Sequence, residues 1–149
     1  MKKILIAVDS RENSIIIAQK GFQLADQLHA EAALIFVIDK SKATGNPDAG
    51  IMPNDALTVL KKEAQATMEQ LIHLNNRPFS QIKFMPEGLP KEDILQTADN
   101  WEADAIVIGI NGKSGFTLWA MGSITQHIIL HSKIPVIVIP AKSDSYISK

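Results

Sequence analysis

Two segments of this sequence carry residues whose types and spacing suit ligand binding. One is Val8-Asp9-Ser10, where a carboxylate follows directly on an apolar run. The other is Gly109-Ile-Asn-Gly112-Lys-Ser-Gly115, which leads on to Gly122-Ser123 and Thr125. Glycine after a strand permits a turn with positive φ and brings backbone N–H groups close to an anion. The positive dipole end of a helix opening at Gly122-Ser123 favours phosphate. Ser123 reads as the N-cap of that helix and Thr125 as part of its first turn, so two hydroxyls face one place. A loop with glycines at both ends that finishes on a helix N-terminus can wrap a polyphosphate, and Lys113 is the one cation inside it. A plainer reading stands beside this one, in which the glycines serve tight turns and Ser123 only caps. Asp9 likewise either accepts a hydrogen bond from a ligand amine or forms an Asx-turn into the first helix.

Other chemistries find less support. Gly112-Lys113-Ser114 imitates the end of a Walker A loop, but Val107 stands where that motif requires glycine. The first apolar run leads into Val-Asp-Ser-Arg-Glu-Asn, which is no dinucleotide fingerprint. His127 and His131 are spaced for a metal on one helix face, yet no cysteine or nearby acid joins them. A solvated face is the simpler reading, and no metal site is expected. No G-x-S-x-G elbow is present, and Asp9 has no His or second acid fixed beside it, so no catalytic residue is assigned. The third strand-like run ends Phe84-Met85-Pro86, without an acid to phosphorylate.

The elements that position these residues follow from hydrophobic pattern. Ile4–Val8, Ala32–Ile38, Ala105–Ile108 and Ile134–Ile139 are apolar, rich in β-branched residues and without alternation, as strands buried on both faces are. Gln81–Met85 alternates and fits a strand nearer an edge. Helical stripes lie between them: Ile17 to Leu28, Leu57 to Leu71, Ile94 to Trp101 behind Pro90, and a shorter helix from Ser123 to His131. The order β-α-β-α-β-α-β-α-β predicts an α/β single domain, a parallel sheet with helices on both faces and right-handed crossovers. One domain over residues 1–141 and a polar tail over 142–149 are expected, and the long Asp39–Pro53 connection suits a functional loop. In such sheets ligands bind beyond the carboxyl ends of the strands, where the strand order reverses.

Composition narrows the partners. The chain has 149 residues, 46% of them hydrophobic and 21% charged, which is enough for one core. Fifteen Lys and Arg against sixteen Asp and Glu leave a net charge of -1. That balance argues against nucleic acid or an anionic membrane as the main partner. The absence of cysteine removes disulfides and thiolate metal sites. No apolar run exceeds Ile134–Pro140, too short to span a bilayer, and Met1-Lys2-Lys3-Ile4 enters a strand-like run at once. A cytoplasmic location is expected.

The same residues resemble the universal stress protein family over nearly the whole chain. Lys3-Ile-Leu-Ile-Ala-Val-Asp9 with Glu12-Asn13-Ser14 is similar to that family's first strand and the start of its first helix. Phe36-Val37-Ile38-Asp39, Glu87-Gly88 with Pro90 and Ile94, and Pro135-Val-Ile-Val resemble later segments. Most specific is Gly109-x2-Gly112-x9-Gly122-Ser123, which matches the family's nucleotide-binding signature in residues and spacing. The resemblance implies a Rossmann-like, adenine nucleotide alpha hydrolase-like sheet of five parallel strands in the order 3-2-1-4-5. It implies binding of ATP, or of ADP or AMP, with magnesium carried by the nucleotide. Asp9 and the backbone of Val37 would then contact adenine, and Gly109 and Gly112 would approach ribose and phosphates. Gly122, Ser123, Ile124 and Thr125 would hold the phosphates, with Ala7, Val8, Ile108 and Lys113 completing the set. Three departures from the family's common pattern stand out: the pair Ser10-Arg11, Phe36 and Asn111. The resemblance also implies a homodimer paired through Pro135–Ile139, which would cover an apolar sheet edge.

Overall fold

The computed structural model describes residues 1–110 and 121–140. The chain runs β1 (Lys3–Ala7), α1 (Ser14–Gln27), β2 (Glu31–Ile35), β3 (Ile38–Asp39), α2 (Pro53–Leu74), β4 (Ile82–Phe84), β5 (Glu87–Gly88), α3 (Pro90–Trp101), β6 (Ala105–Gly109), α4 (Ser123–His131) and β7 (Val136–Ile139). Five of these strands form a parallel sheet in the order β4-β2-β1-β6-β7. Counting those five alone, the order is the expected 3-2-1-4-5. The added numbers come from β3 and β5, which pair separately as Ile38↔Glu87 and Asp39↔Gly88.

That second ribbon corrects two expectations. The run Ala32–Ile38 is not one strand but parts into β2 and β3, and the strand expected over Gln81–Met85 is the shorter β4, followed by β5. Pro86, which has no N–H to donate, stands between β4 and β5. The N–H of Phe36 still donates to the carbonyl of Phe84 at 2.9 Å, and that of Ile38 to the carbonyl of Pro86 at 2.8 Å. The two strands then resume side by side as β3 and β5, outside the main sheet.

The central strands divide their side chains between two cores, because successive residues of a strand point to opposite faces. Ile4, Ile6, Leu34 and Val107 face α1 and α2, where they meet Ile17, Phe22, Met68 and Leu71. Leu5, Ala33, Ile35 and Ile106 face the other side and meet Ile94, Ala98 and Ile128 of α3 and α4. Burial on both faces explains why these strands show no polar alternation. Each fully buried Leu or Ile contributes about 1.5–3 kcal/mol. Gly21 lets α1 lie directly on the sheet, since a Cβ there would sit 2.7 Å from Cδ1 of Ile6. Among the described residues no helix is long and apolar enough to cross a membrane.

The amino-terminal end of the sheet is tied by one carboxylate. Oδ2 of Asp104, just before β6, accepts from the backbone N–H groups of Lys2 and Lys3 at 2.7 and 2.9 Å. These two bonds hold the Asp104 carboxyl below its ordinary pKa of 3.8. A depressed folded-state pKa means the stabilisation is present above the unfolded value and lost as pH falls through the folded one. Asp104→Asn is therefore expected to lower stability at neutral pH. Its deficit relative to the parent should shrink as pH falls below about 4. Urea melts at a series of pH values check this; a deficit independent of pH would count against it.

Candidate functional site

A cavity of about 170 Å³ opens beyond the carboxyl ends of β1, β2 and β6. It forms where neighbouring strands send the chain to opposite faces, β1 into α1 on one side and β6 toward α4 on the other. The sequence places the ligand site at such a reversal. The lining includes Ala7, Val8, Asp9, Val37, Ile108, Gly109 and Ile124, all of them expected site residues. Gly122, Ser123 and Thr125 stand at the start of α4. Gly112 and Lys113 lie outside the described residues, as does Asn111.

Asp9 takes the Asx-turn. Its Oδ1 accepts from the backbone N–H of Arg11 at 2.8 Å and from the hydroxyl of Ser14 at 3.2 Å. The Ser14 oxygen in turn accepts from the N–H of Asp9 at 2.9 Å. Oδ2 lies 3.6 Å from Nε of Arg11. The reciprocal Asp9–Ser14 pair fixes how the chain turns from β1 into α1, and Ser14 is fully buried in doing so. Asp9 is half-exposed at the cavity wall while committed to this turn.

Gly109 is not a turn residue of positive φ. It is the last residue of β6, paired with Ile139, and its missing side chain serves packing. A Cβ at Gly109 would lie 2.1 Å from Cδ1 and 2.7 Å from Cγ1 of Ile17, which α1 presses against the strand end. Asn13, at the start of α1, donates from Nδ2 to the carbonyl of Ile110 at 3.4 Å, and its buried Oδ1 finds no partner among the described residues.

At α4 two expectations change. The N-cap is Gly122, at a positive φ of 90°, and Ser123 is the first helical residue. Gly122 occupies backbone space that L-residues rarely enter, and it has no side chain to satisfy the first N–H groups of the helix. The Thr125 hydroxyl is already engaged within the fold. It is fully buried, and Oγ1 donates to the carbonyl of Gly109 at 2.8 Å, pinning α4 to the end of β6. What remains at this helix start is the exposed Ser123 side chain together with backbone N–H groups and the helix dipole, which favour phosphate.

The structure adds residues that the pattern of the sequence did not mark. Arg11, Asp39, Lys42, Leu60 and Glu63 also line the cavity. Asp39 stands at the head of the long connection, where its Oδ1 accepts from the N–H and hydroxyl of Ser41 at 3.0 and 2.6 Å. Leu60 belongs to the apolar stripe of α2, and that stripe is the only signal that brings α2 over the end of β2. Glu63 lies on the same helix and carries no signal of its own. His127 and His131 stack at 4.2 Å between ring centroids on exposed α4, with Nδ1 of His131 2.9 Å from the carbonyl of His127. Among the described residues no three His, Asp or Glu side chains come together to hold a metal ion.

The Gly109 contact yields a direct expectation. Gly109→Ala should cost about 1–3 kcal/mol by overpacking against Ile17. The penalty should fall sharply in an Ile17→Ala background, where both clashing carbons are gone. Denaturant melts of the two single variants and the double variant test this. Additive losses would show that Ile17 is not what excludes a side chain at position 109.

Comparison with known proteins bears on the same residues. The universal stress protein family matches residues 1–140. Universal stress protein MJ0531 of Methanocaldococcus jannaschii is 30% identical over 139 residues, covering 93% of this chain and 81% of its own. The solved structure of the hypothetical protein MJ0577 is similar with a TM-score of 0.74 at 28% identity, covering 93% of this chain and 94% of that one. The universal stress protein from Archaeoglobus fulgidus in complex with dAMP shares the fold, with a TM-score of 0.62 at 21% identity, covering 93% of this chain and 98% of that one. The match runs from before β1 to beyond β7 and takes in both halves of the cavity: the chain belongs to the universal stress protein family.

Proposed function

We propose that this protein binds an adenine nucleotide, ATP or its di- or monophosphate, in the cavity between β1, β2 and β6. It would act as a stress-response or regulatory protein through nucleotide-dependent conformation or partner binding. The observation that carries the reading is the cavity itself. Its wall is apolar at Val8, Val37, Ile94 and Ile108, which suits a flat base. The start of α4 adjoins it at Ile124, where backbone N–H groups suit phosphate. That a protein of this fold from Archaeoglobus fulgidus holds dAMP supports the ligand class. Magnesium enters only as a companion of the phosphates.

The reading is of a binder and not of an enzyme. Asp9, the carboxylate nearest the strand ends, is occupied by Ser14 and Arg11, and N–H groups that cradle phosphate do not by themselves give turnover. The reading includes a cytoplasmic location, where such a nucleotide is the available ligand and a chain without cysteine needs no oxidising compartment. A second reading is favoured by one contact. Gly109 is required by Ile17 whether or not a ligand binds, so a module that keeps the fold without the nucleotide would retain it too.

Calorimetric titration separates the two. ATP should bind, and Gly122→Val, which forces a β-branched residue to φ 90°, should weaken binding by about tenfold or more while the protein still melts cooperatively. Absence of heat at roughly millimolar nucleotide would leave the second reading standing.

The proposal extends to a homodimer through β7. This strand lies at the sheet edge with all four residues partly exposed, and α4 also exposes Ile129 and Leu130, the latter 77% exposed. An open apolar edge of this kind calls for a partner. Light scattering should return twice the chain mass, and Leu130→Glu should shift the protein toward monomer. A monomeric parent would contradict the dimer.

A further inference from the structure

Two imidazoles on α4 take no part in the nucleotide site. Their four-residue spacing puts His127 and His131 on one face of the helix, where the rings stack with centroids 4.2 Å apart and planes 27° from parallel. His131 is exposed and His127 partly so. The backbone fixes the proton on His131. Its Nδ1 lies 2.9 Å from the carbonyl oxygen of His127, which can only accept, so Nδ1 carries the hydrogen. In the neutral ring Nε2 then keeps its lone pair, with no partner among the described residues. Metal-ligating histidines are oriented in this way, one nitrogen donating to a carbonyl or carboxylate while the other stays bare. The bond would serve the last turn of α4 in any case, but it leaves the ligand tautomer in place.

In the sequence no acid stands near the pair, and a solvated face is the simpler reading. Packing of α3 against α4 removes that objection. His131 lines a cavity of about 470 Å³ together with Glu92, Asp99 and Glu102 of α3 and the turn that follows it. None of these carboxylates takes part in a hydrogen bond or ion pair among the described residues. Lys133 is the one lysine or arginine among the described residues that line the same space. The excess of negative charge draws a cation toward the imidazoles. The carboxylates do not close on the pair as ligands, so the protein offers two nitrogens and leaves the other positions to water. Imidazole suits zinc or copper, whereas magnesium demands oxygen. We propose that His127 and His131 chelate one divalent transition-metal ion through their ring nitrogens. The site shares no lining residue with the nucleotide cavity and does not depend on the nucleotide reading.

Calorimetric titration of the whole, nucleotide-free protein with Zn²⁺ alone tests the site. The parent should take up one Zn²⁺ per chain, and an excess of Mg²⁺ should not displace it. His127→Ala and His131→Ala should each weaken zinc binding by about tenfold or more. His73→Ala, on exposed α2, should leave it unchanged. Cooperative melts of the variants would show that the loss is not one of fold. With Cu²⁺ in place of Zn²⁺, electron paramagnetic resonance of the parent should show two coupled imidazole nitrogens, and one in either variant. A parent that takes up no zinc overturns the proposal, as does zinc uptake that persists in both variants or yields to Mg²⁺. Half an ion per chain overturns the chelate within one chain.

Discussion

The structure depends on one topological constraint: β1 and β6 are neighbours, yet the chain leaves them toward opposite faces of the sheet. Parallel strands require crossovers, and each crossover must cover one face of the sheet. The chain leaving β1 covers the face of Ile4 and Ile6, whereas that leaving β6 returns through α4 over Leu5 and Ile106. The cavity is what two diverging connections leave open, and its apolar wall is the continuation of both cores.

Short polar contacts hold that opening in shape. The Asp9–Ser14 pair sets the direction of α1 out of β1. Thr125 fastens α4 to the carbonyl of Gly109, and Ile17 of α1 closes on the same glycine from the other face. Gly109 is thus the point at which both helices meet the sheet. Its role is steric: any side chain there would push α1 away from the strand that forms the cavity floor. The residues most suggestive of ligand chemistry in the sequence therefore do much of the architectural work. The side chains left for a ligand come from elsewhere on the rim.

This division explains what could be read early. The strands announced themselves because burial on both faces demands unbroken apolar runs, and Ile4–Val8 and Ala105–Ile108 have little else they can be. The helix starting at Pro90 was legible because Pro at its first position and Glu92 and Asp93 in its first turn are local signals. The break after Ile35 was less visible, because Phe36 and Val37 stay buried and only Pro86 on another segment shows where the ladder ends. Ser123 and Thr125 were misplaced for a related reason. Hydroxyl residues near a helix start read alike, and only packing tells a buried strut from a free donor.

Sequence alone determined the α/β class, the strand order through the family resemblance, and the end of the sheet at which the cavity opens. Those follow from periodicity and from a glycine spacing that survives without knowledge of contacts. Tertiary structure decided which side chains are already engaged. Asp9 turned inward to α1, Thr125 to β6, and α2 brought Glu63 and Leu60 to a cavity that begins far away in the chain. A hydrogen bond is spent on whichever partner the fold brings within reach, and that distance is set by packing between elements that no local pattern encodes.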